Sequence, residues 1–213
     1  MKIEFFHDVI CSFCFPMSYR MRQLKERKPE LEIIHRSFAL VPEVEAFDKM
    51  FASREEAKVE ILTHWEQANK NDDLHRFNID GMRGSDFLFP TSIPPLRAVK
   101  AAEQVGGTDI AWDAFDALQN ALFVGNKNIE DLEVIKDALS KTSIDLEKWE
   151  IAYNSPESLE EVNEDLDLAR SYGISGVPFL VVDGKHGLNG AQPLAKIEEM
   201  IDKIINEEDI NSL

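Results

Sequence analysis

The chain has 213 residues, enough for one domain with a large insertion or two small domains sharing a core, and its 44% apolar content suits a globular protein. Asp and Glu outnumber Lys and Arg by 40 to 23, and the net charge of −17 repels phosphate backbones and anionic lipid, which sets aside nucleic-acid and membrane-surface roles. No apolar run approaches the roughly 18 residues of a membrane-spanning helix, and the two cysteines are too few to form a stapling framework.

Residues 2–8 are rich in Ile and Phe and alternate loosely, which predicts a buried first strand. With one early Lys and no small-residue cleavage site, the stretch reads as a strand rather than a signal peptide, so a cytoplasmic protein is expected. Phe13, Met17, Met21 and Leu24 follow at helical spacing, and Pro29 marks the end of that helix. Pro16 fits awkwardly in a helix that begins near Cys11. Residues 31–38 predict a second strand, parallel to the first across a βαβ crossover.

Residues 53–172 read as helical almost throughout, with loops over 78–95, 106–107 and 125–128. The clearest stripe is Ala111, Ala114, Phe115, Leu118, Ala121 and Leu122, with Thr108 and Asp109 as capping residues. A helix over 157–172 should close at Gly173. Strands are then expected over 179–182 and 185–188 around the Asp183–Gly184 turn, ended by Asn189–Gly190. A final helix over 193–206 precedes frayed residues 207–213. The pattern predicts an α/β fold in which residues 1–45 and 173–213 form one discontinuous domain, while 46–172 form an all-helical insertion that includes the helix leading back to the sheet.

Cys11-Ser12-Phe13-Cys14 falls at the junction of the first strand and first helix. The unpaired N–H groups and positive end of a helix stabilise a thiolate there. Cys11 is expected at the helix edge with its sulfur exposed, and Cys14 one turn in, buried and placed to attack a mixed disulfide formed at Cys11. Two other readings stand beside this redox pair. The cysteines could be inert core residues, or half of a zinc site, although His7, His35, His64, His75 and His186 are scattered and supply no paired ligand spacing. Asp8, three residues before Cys11, either accepts a proton or raises a thiol pKa, or else caps the turn. His7 is similarly ambiguous. Pro178, in Ser175-Gly176-Val177-Pro178-Phe179, reads by itself as a strand-start proline.

In combination these residues resemble the DsbA family of thioredoxin-like proteins, and more closely its cytoplasmic FrnE-like branch. The matching pieces are residues 8–14, Arg36-Ser37-Phe38-Ala39-Leu40 with Pro42, the helix start around 91–98, residues 175–179, and Gly190-Ala191-Gln192. They span 2 to about 205. The resemblance implies a thioredoxin-like fold with a large helical insertion and a thiol–disulfide oxidoreductase with Cys11 and Cys14 as catalytic residues. It also implies a cis Pro178 facing the cysteine pair, with the backbone of Val177 pairing to an extended substrate. Phe13 would tune reactivity and add apolar binding surface. Ser12 departs from the family, which commonly has Pro there, so redox potential does not carry over. The implied partners are protein clients or small thiols, regenerated by glutathione or the thioredoxin system, and no cofactor or metal is implied. Two alternatives are a glutathione-dependent isomerase or transferase on the same fold and a client-binding chaperone. Retention of both thiols favours disulfide exchange over glutathione activation.

Overall fold

The computed structural model describes the backbone of residues 1–211 and the side chains of residues 1–206. β1 (Lys2–His7), α1 (Cys14–Arg27) and β2 (Glu32–Ser37) form the expected βαβ unit. β1 and β2 run parallel, with Lys2 beside Glu32 and His7 beside Ser37. A helical insertion follows: α2 (Glu45–Met50), α3 (Arg54–Asn71), α4 (Ile79–Arg83), α5 (Ile93–Phe123), α6 (Leu132–Leu139), α7 (Leu146–Asn154) and α8 (Glu157–Ser171). The chain then returns through β3 (Phe179–Val182) and β4 (His186–Asn189) to α9 (Leu194–Asn211). The sheet order is β2-β1-β3-β4, with β3 antiparallel to β1 and to β4.

β1 is central, and its side chains alternate between two covered faces. Ile3 and Phe5 enter a core with Met17, Met21 and Leu24 of α1 and Ile197 and Ile201 of α9. Phe6 points to the other face, against Ala169 of α8 and Ile174. A larger cluster fills the insertion around Trp65, Phe115, Phe123 and Trp149, and it reaches Val9, Cys11 and Cys14. The end of β1 therefore meets the insertion's core at the cysteine pair.

Several boundaries differ from expectation for identifiable reasons. α1 begins at Cys14 rather than near Cys11. This resolves Pro16, which falls in the first turn, where a missing N–H costs no helical hydrogen bond. α2 lies ahead of the helical region expected from residue 53, and α4 lies inside the expected loop 78–95. α5 starts at Ile93, with Pro94 and Pro95 in its first turn. The loop expected at 106–107 is a kink within α5, where Gly107 alone leaves helical geometry at φ 77° and ψ −170°. Between α6 and α7 the chain breaks where no Gly or Pro signals it. Asp145 starts α7 by accepting a hydrogen bond from the Lys148 N–H. β4 is shifted by one residue, after a turn in which Asp183 and Gly184 both have positive φ. α9 extends to Asn211 through part of the segment expected to fray, and residues 212–213 lie outside the described residues.

Candidate active site

The turn that carries the two cysteines is assembled around Asp8, which is fully buried just past β1. Its Oδ1 accepts from the Ile10 N–H at 3.3 Å. Its Oδ2 accepts from the Leu40 N–H at 2.8 Å, beyond β2, and from the Ser92 hydroxyl at 2.6 Å, at the start of α5. One carboxylate thus ties together the ends of β1 and β2 and the mouth of the insertion. Burial pushes its pKa up to about 6, while the Ser92 hydroxyl and the backbone N–H groups pull the other way. Asp8 also holds the turn through its carbonyl, which accepts from the Cys11 N–H at 3.2 Å. The Cys11 carbonyl accepts from the Cys14 N–H at 3.1 Å, leading into α1.

The two sulfurs differ in surroundings. Cys14 is fully buried. Burial, and after it the adjoining Cys11 sulfur, holds its thiol well above the ordinary range. Cys11 was expected at the edge of α1 with an exposed sulfur. Instead it lies three residues ahead of the helix and is only 5% exposed. Its access is through an apolar cavity of about 270 Å³. Leu40, Phe47, Phe51, Ile61, Trp65 and Phe89 build most of the wall, from the loop after β2, from α2 and α3, and from the loop before α5. Arg54 fixes that last loop: its guanidinium donates to the Phe89 carbonyl and to Glu130, whose carboxylate also accepts from the Thr91 hydroxyl.

Ser12, Phe13 and Val177 also line the cavity, so the structure brings them together with Cys11. The Cys11 thiol donates to the Val177 carbonyl at 3.4 Å. The Val177–Pro178 peptide bond is cis, and the Pro178 carbonyl accepts from the Gly190 N–H at 2.9 Å. The Val177 N–H has no hydrogen-bond partner among the described residues.

His7 does not join this group. Its Nε2 lies 2.8 Å from His35 Nδ1 in the core, and its ring packs 4.0 Å from that of Phe115. Burial drives both imidazoles toward the neutral form, His35 down to about 3. Among the described residues, no group of three or more His, Cys, Asp or Glu is placed to hold a metal ion. Sequence reasoning missed the cavity wall, His64 at the cavity, and Ser92. Only the Ser92-Ile93-Pro94-Pro95 helix start carried a signal that could have found one of them.

A DSBA-like thioredoxin domain model matches residues 2–202. The chain belongs to that family. Solved structures share the fold: a proposed protein disulfide isomerase of Nitrosomonas europaea superposes with a TM-score of 0.80 at 18% identity, covering 97% of this chain and 98% of that one. The cytosolic disulfide reductase DsbM of Pseudomonas aeruginosa gives 0.73 at 17% identity, covering 95% and 99%. The ClpXP adapter protein SpxH of Bacillus subtilis is 26% identical over 183 residues, which are 84% of this chain but only 57% of SpxH. Among the described residues no helix is long and apolar enough to cross a membrane.

Proposed function

We propose that this DsbA-family chain exchanges disulfides with protein or small thiol substrates through Cys11 and Cys14. The observation that carries the reading is that, of the two sulfurs, only Cys11 borders the cavity, 3.4 Å from the Val177 carbonyl. The Cys11 thiolate attacks one sulfur of a substrate disulfide, and the other leaves as a thiolate. Cys14 then gives up its proton and attacks Cys11, releasing the second substrate thiolate. Two electrons pass to the substrate, and a Cys11–Cys14 disulfide remains. Asp8 is the candidate acceptor for the Cys14 proton: its carboxyl is buried in the same turn, burial raises it to about 6, and its charge acts on the Cys14 thiol. The free Val177 N–H, with the carbonyl that Cys11 releases, supports pairing to an extended substrate segment, while Ser12, Phe13 and Pro178 shape its seat. We place the reaction in the cytoplasm and in the reducing direction, in line with the likeness to cytosolic DsbM.

The test is reduction of a model protein disulfide by wild type and by Cys11→Ser. Activity should vanish in the variant, and Cys14→Ser should trap the mixed disulfide; equal rates for wild type and Cys11→Ser remove the proposal. A glutathione-dependent isomerase or transferase on this fold would instead bind glutathione at millimolar concentration and keep its activity in Cys14→Ser. A client-binding chaperone would still suppress aggregation with both cysteines changed to serine.

A further inference from the structure

The cavity beside Cys11 has walls of a particular chemistry. Its lining contains no Lys or Arg, and its titratable side chains are Cys11 and His64. Cations around it are engaged elsewhere: Arg54 with Glu130 at 2.7 Å, Lys58 with the Ser85 carbonyl at 2.5 Å, Lys49 with Glu43 at 3.8 Å, and Arg83, which shares a neighbouring depression with Val59, with Glu66 at 3.5 Å. Phe51 forms one edge of the cavity and also of a shallower depression that continues from it along α3, lined by Glu56, Val59 and Glu60. Glu56 and Glu60 stand one turn apart on the same helical face, both exposed, and neither has an ion-pair partner among the described residues. Like charges so spaced weaken a helix slightly, and of the two only Glu56, in the first turn of α3, meets the positive end of that helix. Val59, between them in sequence, is 75% exposed, and Met50 at the cavity is 53% exposed. An apolar hole with a reactive sulfur at one end thus opens onto an apolar step flanked by two free carboxylates.

We propose that the occupant is an extended polypeptide segment that places a bulky apolar side chain, next to its cysteine, in the cavity and a lysine or arginine side chain across Phe51 against Glu56 and Glu60. The inference rests on the exchange reading for its reactive step, but the seat itself is a binding surface. An aromatic or branched aliphatic group gains by leaving water for this wall. A cation beyond it meets the carboxylates, with its aliphatic stem lying over Phe51 and Val59. Glutathione is the wrong shape of charge for such a seat. It carries two carboxylates and one ammonium group, and the lining supplies no lysine or arginine for the carboxylates.

The test measures binding with serine in place of the substrate cysteine, so that it does not depend on chemistry. Four short peptides, with a neutral dye on a distant terminus, pair Trp or Ser beside that position with Lys or Glu further along, and fluorescence anisotropy reads their affinities. The Trp–Lys peptide should bind about fivefold more tightly than Trp–Glu and about tenfold more tightly than Ser–Lys. In E56Q/E60Q the Lys-over-Glu ratio should fall below about twofold. E147Q/E164Q removes the same charge from α7 and α8 and should keep the full ratio. Equal binding of Lys and Glu peptides overturns the inference. So does an equal loss of preference in both double variants, which would assign it to the overall charge of −17, and so does tighter binding of oxidised glutathione than of the Trp–Lys peptide. Should the peptides behave as expected while no disulfide is reduced, the exchange reading falls and the seat stands.

Discussion

Asp8 serves the turn as a hydrogen-bond acceptor, and in the proposed exchange it also serves as a base, which burial makes possible. A carboxyl raised from 3.8 to about 6 sits between its two protonation states near working pH. Asp8→Asn should slow release of client from the mixed disulfide on the order of a hundredfold at pH 7. It should also flatten the rise of that step between pH 5 and 7 measured by quenched flow; an unchanged pH profile would dismiss Asp8 from the step. The same residue and the histidine pair have opposite effects on stability. The folded state binds the Asp8 proton more tightly than the unfolded chain, so its contribution is complete below pH 3.8 and is lost as pH rises through about 6. Wild type should therefore gain on Asp8→Asn in urea midpoint as pH falls across that window. His35 is depressed from 6.5 to about 3, so its contribution is complete above pH 6.5 and is lost as pH falls toward 3. Wild type should lose ground to His35→Gln across that range, by at most about 1.4 kcal/mol per pH unit. Parallel curves for those two proteins would mean that the buried imidazole does not titrate as stated.

Among the elements, α5 owes its kink to a single residue. Gly107 adopts φ 77° and ψ −170°, a region open essentially to glycine, and an added Cβ would meet nothing within 4 Å. The cost of Gly107→Ala is thus conformational rather than steric, about 1–3 kcal/mol, read as a lowered denaturation midpoint with the same far-ultraviolet spectrum. A variant as stable as wild type would show that the kink relaxes freely. Elements of this kind mark what could be read from the chain beforehand. β1, α1 and β2 were legible because their apolar residues keep a strand or helix period over a short span, and Cys11 and Cys14 because the junction between them is local. The hairpin was legible from Asp183–Gly184. The gap between α6 and α7 was not, since its boundary is an Asp145 cap with no Gly or Pro beside it. Nor was the cavity: Leu40, Phe47, Ile61, Trp65 and Phe89 come from separate segments, and each alone reads as ordinary core. Asp8 was correctly marked, but its partner Ser92 lies 84 residues away, and no periodicity links the two.

At the scale of the molecule, the insertion is joined to the sheet by buried charge as well as by apolar packing. Arg36 on β2 donates to Glu4 on β1 at 2.8 Å and to Asp165 on α8 at 3.0 Å. Asp165 also meets Lys100 of α5 at 2.8 Å and accepts from the Ser37 N–H at 2.8 Å. Both Asp165 and Lys100 are buried. Asp165→Asn leaves Lys100 charged, buried and held by Glu103 alone, and should cost about 3–5 kcal/mol in chemical denaturation. Adding Lys100→Met should recover part of that loss; additive losses would argue against the pairing.

The recessed position of Cys11 bears on which bonds it can ever make. A disulfide needs its two β-carbons about 3.8 Å apart, and a cysteine only 5% exposed at one end of a walled recess cannot bring its β-carbon so near to that of another folded body. Two copies of this chain are thereby kept from crosslinking through this thiol, even when oxidant is plentiful. A crosslink locked inside a client's finished architecture is equally out of reach. Slack chain can be threaded to the sulfur, as can a disulfide at a frayed end or on a small molecule.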